Sequence, residues 1–251
     1  MSRMKKLSLA LLLVLPIAAC RNAPGESPSA VAAPPVAAPA AAPAAKGWIT
    51  LFDGGDISRS FRGFKSDTVP SSWVVKDGCL VHLKSAGDGH MVGGDLVTRG
   101  SWCNFELELE WKVTPGGNSG IFYRAGEDTG SIWENAPEMQ ILDDAAHNDG
   151  KNRLTSAGAD YALYPAPIGA VKPVGQWNQV RIVADGDHVQ YFLNGVKTCD
   201  FVRNSADWKA RVAASKFSKM PKYGTNACGH IGLQDHGDEV WFRNIRLKPL
   251  S

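Results

Sequence analysis

Apolar and polar residues alternate at period two over 73–83, 103–113, 119–123, 176–184, 189–194 and 240–247, and each stretch predicts a half-buried β-strand. Turn signals punctuate the pattern: Lys76-Asp77-Gly78, Pro115-Gly116-Gly117-Asn118, Asp185-Gly186-Asp187 and Asn194-Gly195. The last two bracket a hairpin strand. No long stretch of helical period competes. Short strands without alternating helices predict an all-β fold, two antiparallel sheets packed face to face in a jelly-roll sandwich. Trp73, Trp102, Phe105, Trp111, Trp177 and Trp241 fall in or beside these strands, where core packing is the default role of a large aromatic side chain.

Residues two apart on a strand share a face, so polar residues can be sorted by side. Around 118–124, one face shows Asn118, Gly120, Phe122 and Arg124. Around 138–144, Glu138 and Gln140 share a face while Met139 and Ile141 take the core side. Around 229–236, His230, Gln234 and His236 oppose Ile231 and Leu233. A solvated sheet face has no need of Arg, Glu, Gln and two His beside glycines that clear space. The pattern predicts a polar pocket floor whose amides, carboxylate and guanidinium suit a sugar's hydroxyls. A structural reading of the same residues is also open, with Arg124 paired to Glu138 and the histidines satisfying local hydrogen bonds.

The ends of the chain change the picture from a bare sandwich to an exported one. Arg3, Lys5 and Lys6 precede an apolar run over 7–19, shorter than the roughly 20 residues of a membrane span and shaped as a signal peptide. It closes on Leu15-Pro16-Ile17-Ala18-Ala19-Cys20, which resembles a lipobox, so Cys20 is the expected lipidation site and membrane anchor. A secreted protein cut after Ala19 is the alternative. Residues 20–46 are Pro- and Ala-rich and read as a disordered tether; one folded domain then occupies 47–251. Three of the 27 Lys and Arg lie in the signal, which leaves the mature chain near −1 against 25 acidic residues and argues against a nucleic-acid partner. Arg21 after Cys20 favours the outer membrane of a cell envelope. Cys79, Cys103, Cys199 and Cys228 allow two disulfides in three connectivities, with buried free thiols as the other reading.

From Gly47 to Leu250 the chain resembles the 3-keto-disaccharide hydrolase family, whose fold is that of concanavalin-A-like glucanases and lectins. The resemblance rests on ordered segments, among them Leu51-Phe52-Asp53-Gly54, 105–112, Gly117-Asn118-Ser119-Gly120-Ile121 and Glu138-Met139-Gln140-Ile141-Leu142-Asp143. Gly158-Ala159-Asp160-Tyr161, Gly175-Gln176-Trp177-Asn178, 229–237 and Phe242-Arg243-Asn244-Ile245 continue it. Departures from the family pattern are Phe61 in place of Trp, Asn104 in place of Asp, and a longer approach over 220–227.

The resemblance implies a glycoside already oxidised at C3, whose ketone acidifies the C2 hydrogen. Cleavage by elimination and hydration then needs a base, a partner for the enolate oxygen and an acid at the leaving group. Glu138 and His236 are the residues expected to share base and acid duties, in an order left open. Arg124, His230 or a divalent cation would hold the enolate oxygen, while Asn118, Gln140 and Gln234 would orient hydroxyls. Tyr161 would close the pocket, and a cation would draw on Glu138, Asp143 and His236. A lectin-like module that binds a glycan without chemistry is the alternative function.

Overall fold

The computed structural model describes residues 47–85 and 93–251. The signal peptide, Cys20 and the tether lie outside the described residues. The described chain contains thirteen strands: β1 (Ile49–Phe52), β2 (Phe61–Gly63), β3 (Trp73–Lys76), β4 (Cys79–His82), β5 (Leu96–Thr98), β6 (Phe105–Val113), β7 (Asn118–Ala125), β8 (Glu138–Leu142), β9 (Asn178–Asp185), β10 (His188–Leu193), β11 (Val196–Val202), β12 (His230–Leu233) and β13 (Val240–Pro249). A larger sheet runs β11-β10-β9-β6-β13-β4-β3, with β1 also paired to β13; a smaller sheet runs β2-β5-β12-β7-β8. All the pairings are antiparallel. This is the two-sheet jelly-roll sandwich that the alternation predicts.

Each of the six stretches of alternation becomes strand, with one division. Residues 73–83 split into the β3–β4 hairpin because Asp77 and Gly78 take φ of 52° and 69°. Asn194 and Gly195 do the same between β10 and β11, at 52° and 82°. Positive φ at both central residues matches the right-handed strand twist.

Strands β6, β9 and β10 of the larger sheet keep the in–out alternation, as in β6, where Phe105, Leu107, Leu109, Trp111 and Val113 are buried and the residues between them are half-buried. Strands β7 and β8 are different. Every residue of both is buried, including the polar Asn118, Ser119, Arg124, Glu138 and Gln140. Their inner face, with Ile121, Tyr123, Met139 and Ile141, joins the core between the sheets. Their outer face is roofed by other segments, and a roof over polar residues encloses a site.

One element went unread in the sequence, and the cysteine pairing was left open by it. Helix α1 (Ala206–Ala214) stands on an N-cap at Ser205, whose side chain accepts the Trp208 N–H, and buries only Trp208. A nine-residue helix with a single buried residue leaves little periodicity to detect. One disulfide forms, Cys103–Cys228, while Cys79 and Cys199 are free and buried. Burial pushes the Cys199 thiol up to about 12, so it stays protonated and inert. Of the six aromatics assigned to the core, Trp73, Phe105 and Trp111 are fully enclosed. Trp177 and Trp241 instead lie half-buried, with the Lys112 ammonium 5.0 and 4.4 Å from their ring centres.

Candidate active site

The site grows from the pairing of β7 with β8. Gly120 stands opposite Gln140 and Phe122 opposite Glu138, so all four share the outer face. A Cβ at Gly120 would run into Glu138 Oε1, with Glu138 Cγ at 2.8 Å, so the glycine is the space in which the carboxyl lies. Beyond β8 the chain returns along its free edge. The Gly158 and Tyr161 N–H groups donate to the Gln140 and Glu138 carbonyls, both at 2.9 Å, which brings Tyr161 beside the carboxyl. On the other side of β7, the Gln234 N–H donates to Gly120 O (3.0 Å) and Ser119 Oγ donates to Gln234 O (2.9 Å). That extension of β12 carries Gln234 and His236 over the same floor.

The result is a cleft of about 470 Å3 lined by Asn118, Glu138, Gln140, Tyr161, Gln234 and His236, together with Trp133, Lys216 and Met220. Six of the nine site residues expected from sequence therefore meet in one place. Glu138 is buried and receives no hydrogen bond to its carboxyl among the described residues. Burial raises it to about 8, opposed by Lys216 and reinforced by Asp95 and Asp149. Asn118 Oδ1 and Gln140 Oε1 are buried without a partner, while Gln140 Nε2 donates to Thr155 O (3.2 Å). Buried acceptors left open in a cleft are suited to bind a ligand's hydroxyl groups. Tyr161 donates its hydroxyl to Asp149 Oδ2 (3.3 Å). His236 stands at the exposed rim, with the His147 ring 6.4 Å away edge-on.

Lys216 is the cation of this cleft. Its ammonium lies 4.1 Å from the Tyr161 ring centre, 5.2 Å from Phe217 and 5.8 Å from Trp133. Desolvation lowers its pKa, against the pull of Glu138 and Asp149. It sits on a short 3-10 turn over 216–219 whose N-cap is Ser215, and the Ser215 hydroxyl accepts the Phe217 N–H (3.1 Å). Sequence reasoning missed it because it faces no strand alternation; the serines at 205 and 215, each capping a turn, were the available signal.

Arg124, His230 and Asp143 are not brought to the cleft. Arg124 has φ of 51° at a bulge where β12 skips a residue against β7, between the His230–Ala125 and Gly232–Phe122 pairs. The bulge ends the simple alternation and sends the guanidinium away, where it donates to Cys103 O and Gly186 O, both at 2.7 Å. The ion pair with Glu138 is therefore absent from the described contacts. His230 opens β12 at its far end, with Nδ1 2.9 Å from Gly100 O and Nε2 3.4 Å from an Arg62 nitrogen. Asp143 accepts backbone N–H groups on both oxygens, from Gly116 (2.8 Å), Ala145 (3.1 Å) and Ala146 (3.3 Å), and so shapes the turn after β8. With Asp143 so engaged, the trio Glu138, Asp143 and His236 does not form a cation site. No other cluster of three metal-binding side chains occurs among the described residues.

The model of the 3-keto-alpha-glucoside-1,2-lyase-like domain matches residues 47–248. The chain belongs to this family. A 3-keto-disaccharide hydrolase of Bacteroides thetaiotaomicron is 40% identical over 234 residues, covering 82% of this chain and 80% of that protein. The crystal structure of a candidate glycosyl hydrolase from Parabacteroides distasonis superposes with a TM-score of 0.73 at 32% identity, covering 82% of this chain and 95% of that one. A second from the same organism gives 0.58 at 29% identity, covering 81% and 99%. The family match spans the whole sandwich and every residue that lines the cleft.

Proposed function

We propose that this enzyme cleaves the glycosidic bond of 3-keto-glycosides, with Glu138 as the base that takes the C2 proton. The observation that carries the reading is a buried, unpaired carboxyl, raised to about 8, on the floor of a polar cleft that also holds one ammonium. A base matched to near-neutral pH transfers protons most effectively.

Glu138 removes the C2 hydrogen and the electron pair passes to the C3 oxygen as an enolate. The Lys216 ammonium, held over the Tyr161 ring, stabilises that charge. The enolate then collapses: C3=O re-forms, a C1=C2 double bond appears, and the C1–O bond breaks with its electrons on the departing oxygen. His236 at the rim supplies the proton that this oxygen takes. Water adds at C1 of the unsaturated ketone and Glu138 returns a proton to C2. Asn118 and Gln140, with their open acceptors, and Gln234 hold hydroxyls of the substrate.

Export rests on the signal pattern ending at Cys20, and the Cys103–Cys228 bridge suits an oxidising compartment. We place the enzyme on that basis at the cell envelope, on a lipid anchor.

The test is turnover of one 3-keto-disaccharide by wild type, Glu138→Gln and Lys216→Met. Both variants are expected to fold and to lose at least about 100-fold in kcat, the range of a removed base or oxyanion partner. Wild-type rates in both would exclude this assignment of the cleft. Turnover unchanged by a chelator is also expected, since no step uses a metal ion.

A further inference from the structure

His236 and Asn118 come to the cleft from different segments, yet both are tied to one buried imidazole in the other sheet. His82, the last residue of β4, is fully buried, with its ring edge against Trp73 at 4.8 Å. Its Nδ1 lies 2.8 Å from Asp238 O and its Nε2 3.0 Å from Asp235 Oδ1. Asp235 is also fully buried. Its carboxylate accepts the Gly237 N–H and the Gly94 N–H, both at 3.0 Å, and its own N–H donates to Asp95 Oδ1 (2.9 Å). Asp238 passes the connection on, since its Oδ2 accepts the Asn118 N–H (3.2 Å).

We propose that His82 is a positioning residue of this site, hydrogen-bonded to the Asp238 carbonyl through Nδ1 and ion-paired with the Asp235 carboxylate through Nε2, which fixes the 235–238 loop and with it His236 and Asn118. Both facing atoms, a carbonyl and a carboxylate oxygen, are acceptors, so a ring that satisfies them carries two protons. The loop needs such a clamp. Gly237 takes a φ of 84°, and His236 is exposed, with no hydrogen bond to its ring among the described residues. The main chain on either side of it is therefore what holds it over the floor. The two sheets are joined under the cleft by this imidazole, so a change in β4 reaches the rim of the smaller sheet.

The proposal rests on the reading of the cleft as catalytic, and its test separates the two. The full chain is labelled uniformly with 15N, and wild type is compared with His82→Gln, which keeps one donor and drops the other. In wild type the His82 ring is expected to show two protonated nitrogens at neutral pH. In the variant the His236 resonance is expected to shift, and the Gly237 amide to lose protection from exchange. Turnover of a 3-keto-disaccharide is expected to fall about 100-fold in kcat with KM little changed, as for a displaced catalytic group. A singly protonated wild-type ring overturns the proposal, as does a His236 signal and Gly237 protection unchanged in the variant. If the variant does not fold, the wild-type ring decides. Wild type inactive on the oxidised sugar refutes the reaction and leaves the nitrogen signals to judge the clamp.

Discussion

At the scale of single residues, the cleft is a set of polar groups kept from satisfying one another. Glu138 is buried over Gly120 with no donor to stabilise its anion, and its folded pKa stands at about 8. The linkage has a definite sign. A carboxyl with a folded pKa above its unfolded value makes the native state bind more protons, so stability falls as pH rises from the ordinary carboxylate range to about 8. Glu138→Gln, which removes that burden, is expected to raise Tm by several degrees above this window and to leave it nearly unchanged below it. Thermal unfolding of both proteins across pH reads the difference. In its proposed role as base the same carboxyl must be ionised, so wild-type turnover is expected to rise through the window in which stability falls. On the proposed role, activity and stability are opposed at this residue, as expected where a site stores unsatisfied polar groups.

At the scale of elements, the period-two pattern was a sound guide wherever a strand stayed regular. It placed Glu138 and Gln140 on one face, Met139 and Ile141 on the other, and Asn118 opposite the core; the register of β7 and β8 agrees. It misled at Arg124, where a bulge with φ of 51° ends the alternation, and a bulge leaves no mark in a pattern of hydrophobic and polar residues. His230 shares a face with Gln234 by parity, but it lies at the other end of its strand, which parity does not register. Lys216 was invisible because it comes from a capped turn outside both sheets. Arg124 makes a prediction of its own. Its guanidinium holds the Cys103 and Gly186 carbonyls in the interior, so Arg124→Ala is expected to cost about 3 kcal/mol in denaturant unfolding, two charged hydrogen bonds' worth. Its kcat is expected to stay near wild type, which a role for Arg124 at the enolate would not allow.

At the scale of the whole molecule, the fold class was legible because a two-sheet sandwich is written in alternation and turn chemistry, both local properties. Disulfide pairing is not local. Cys103 and Cys228 are 125 residues apart, and only the packed sheets bring them together. Closing so long a loop restricts the unfolded chain, so the Cys103→Ala/Cys228→Ala variant is expected to lose up to about 5 kcal/mol of stability. Chemical denaturation with and without the bridge measures this. Cys79 and Cys199 are buried in the core and need not change.

The sandwich holds the Glu138 carboxyl and open hydrogen-bond acceptors on one face, a capped turn outside the sheets brings the Lys216 ammonium to them, and the central claim is that together they remove the C2 proton of a 3-keto-glycoside. The most direct measurement is turnover of one 3-keto-disaccharide in D2O beside its unoxidised parent, with mass and NMR analysis of C2 in the released sugar and in unreacted substrate. The account predicts cleavage of the oxidised sugar only, deuterium at C2 of the product beyond that of an enzyme-free control, and neither outcome with Glu138→Gln. Cleavage that retains the C2 hydrogen throughout, or equal cleavage of the unoxidised parent, would contradict it.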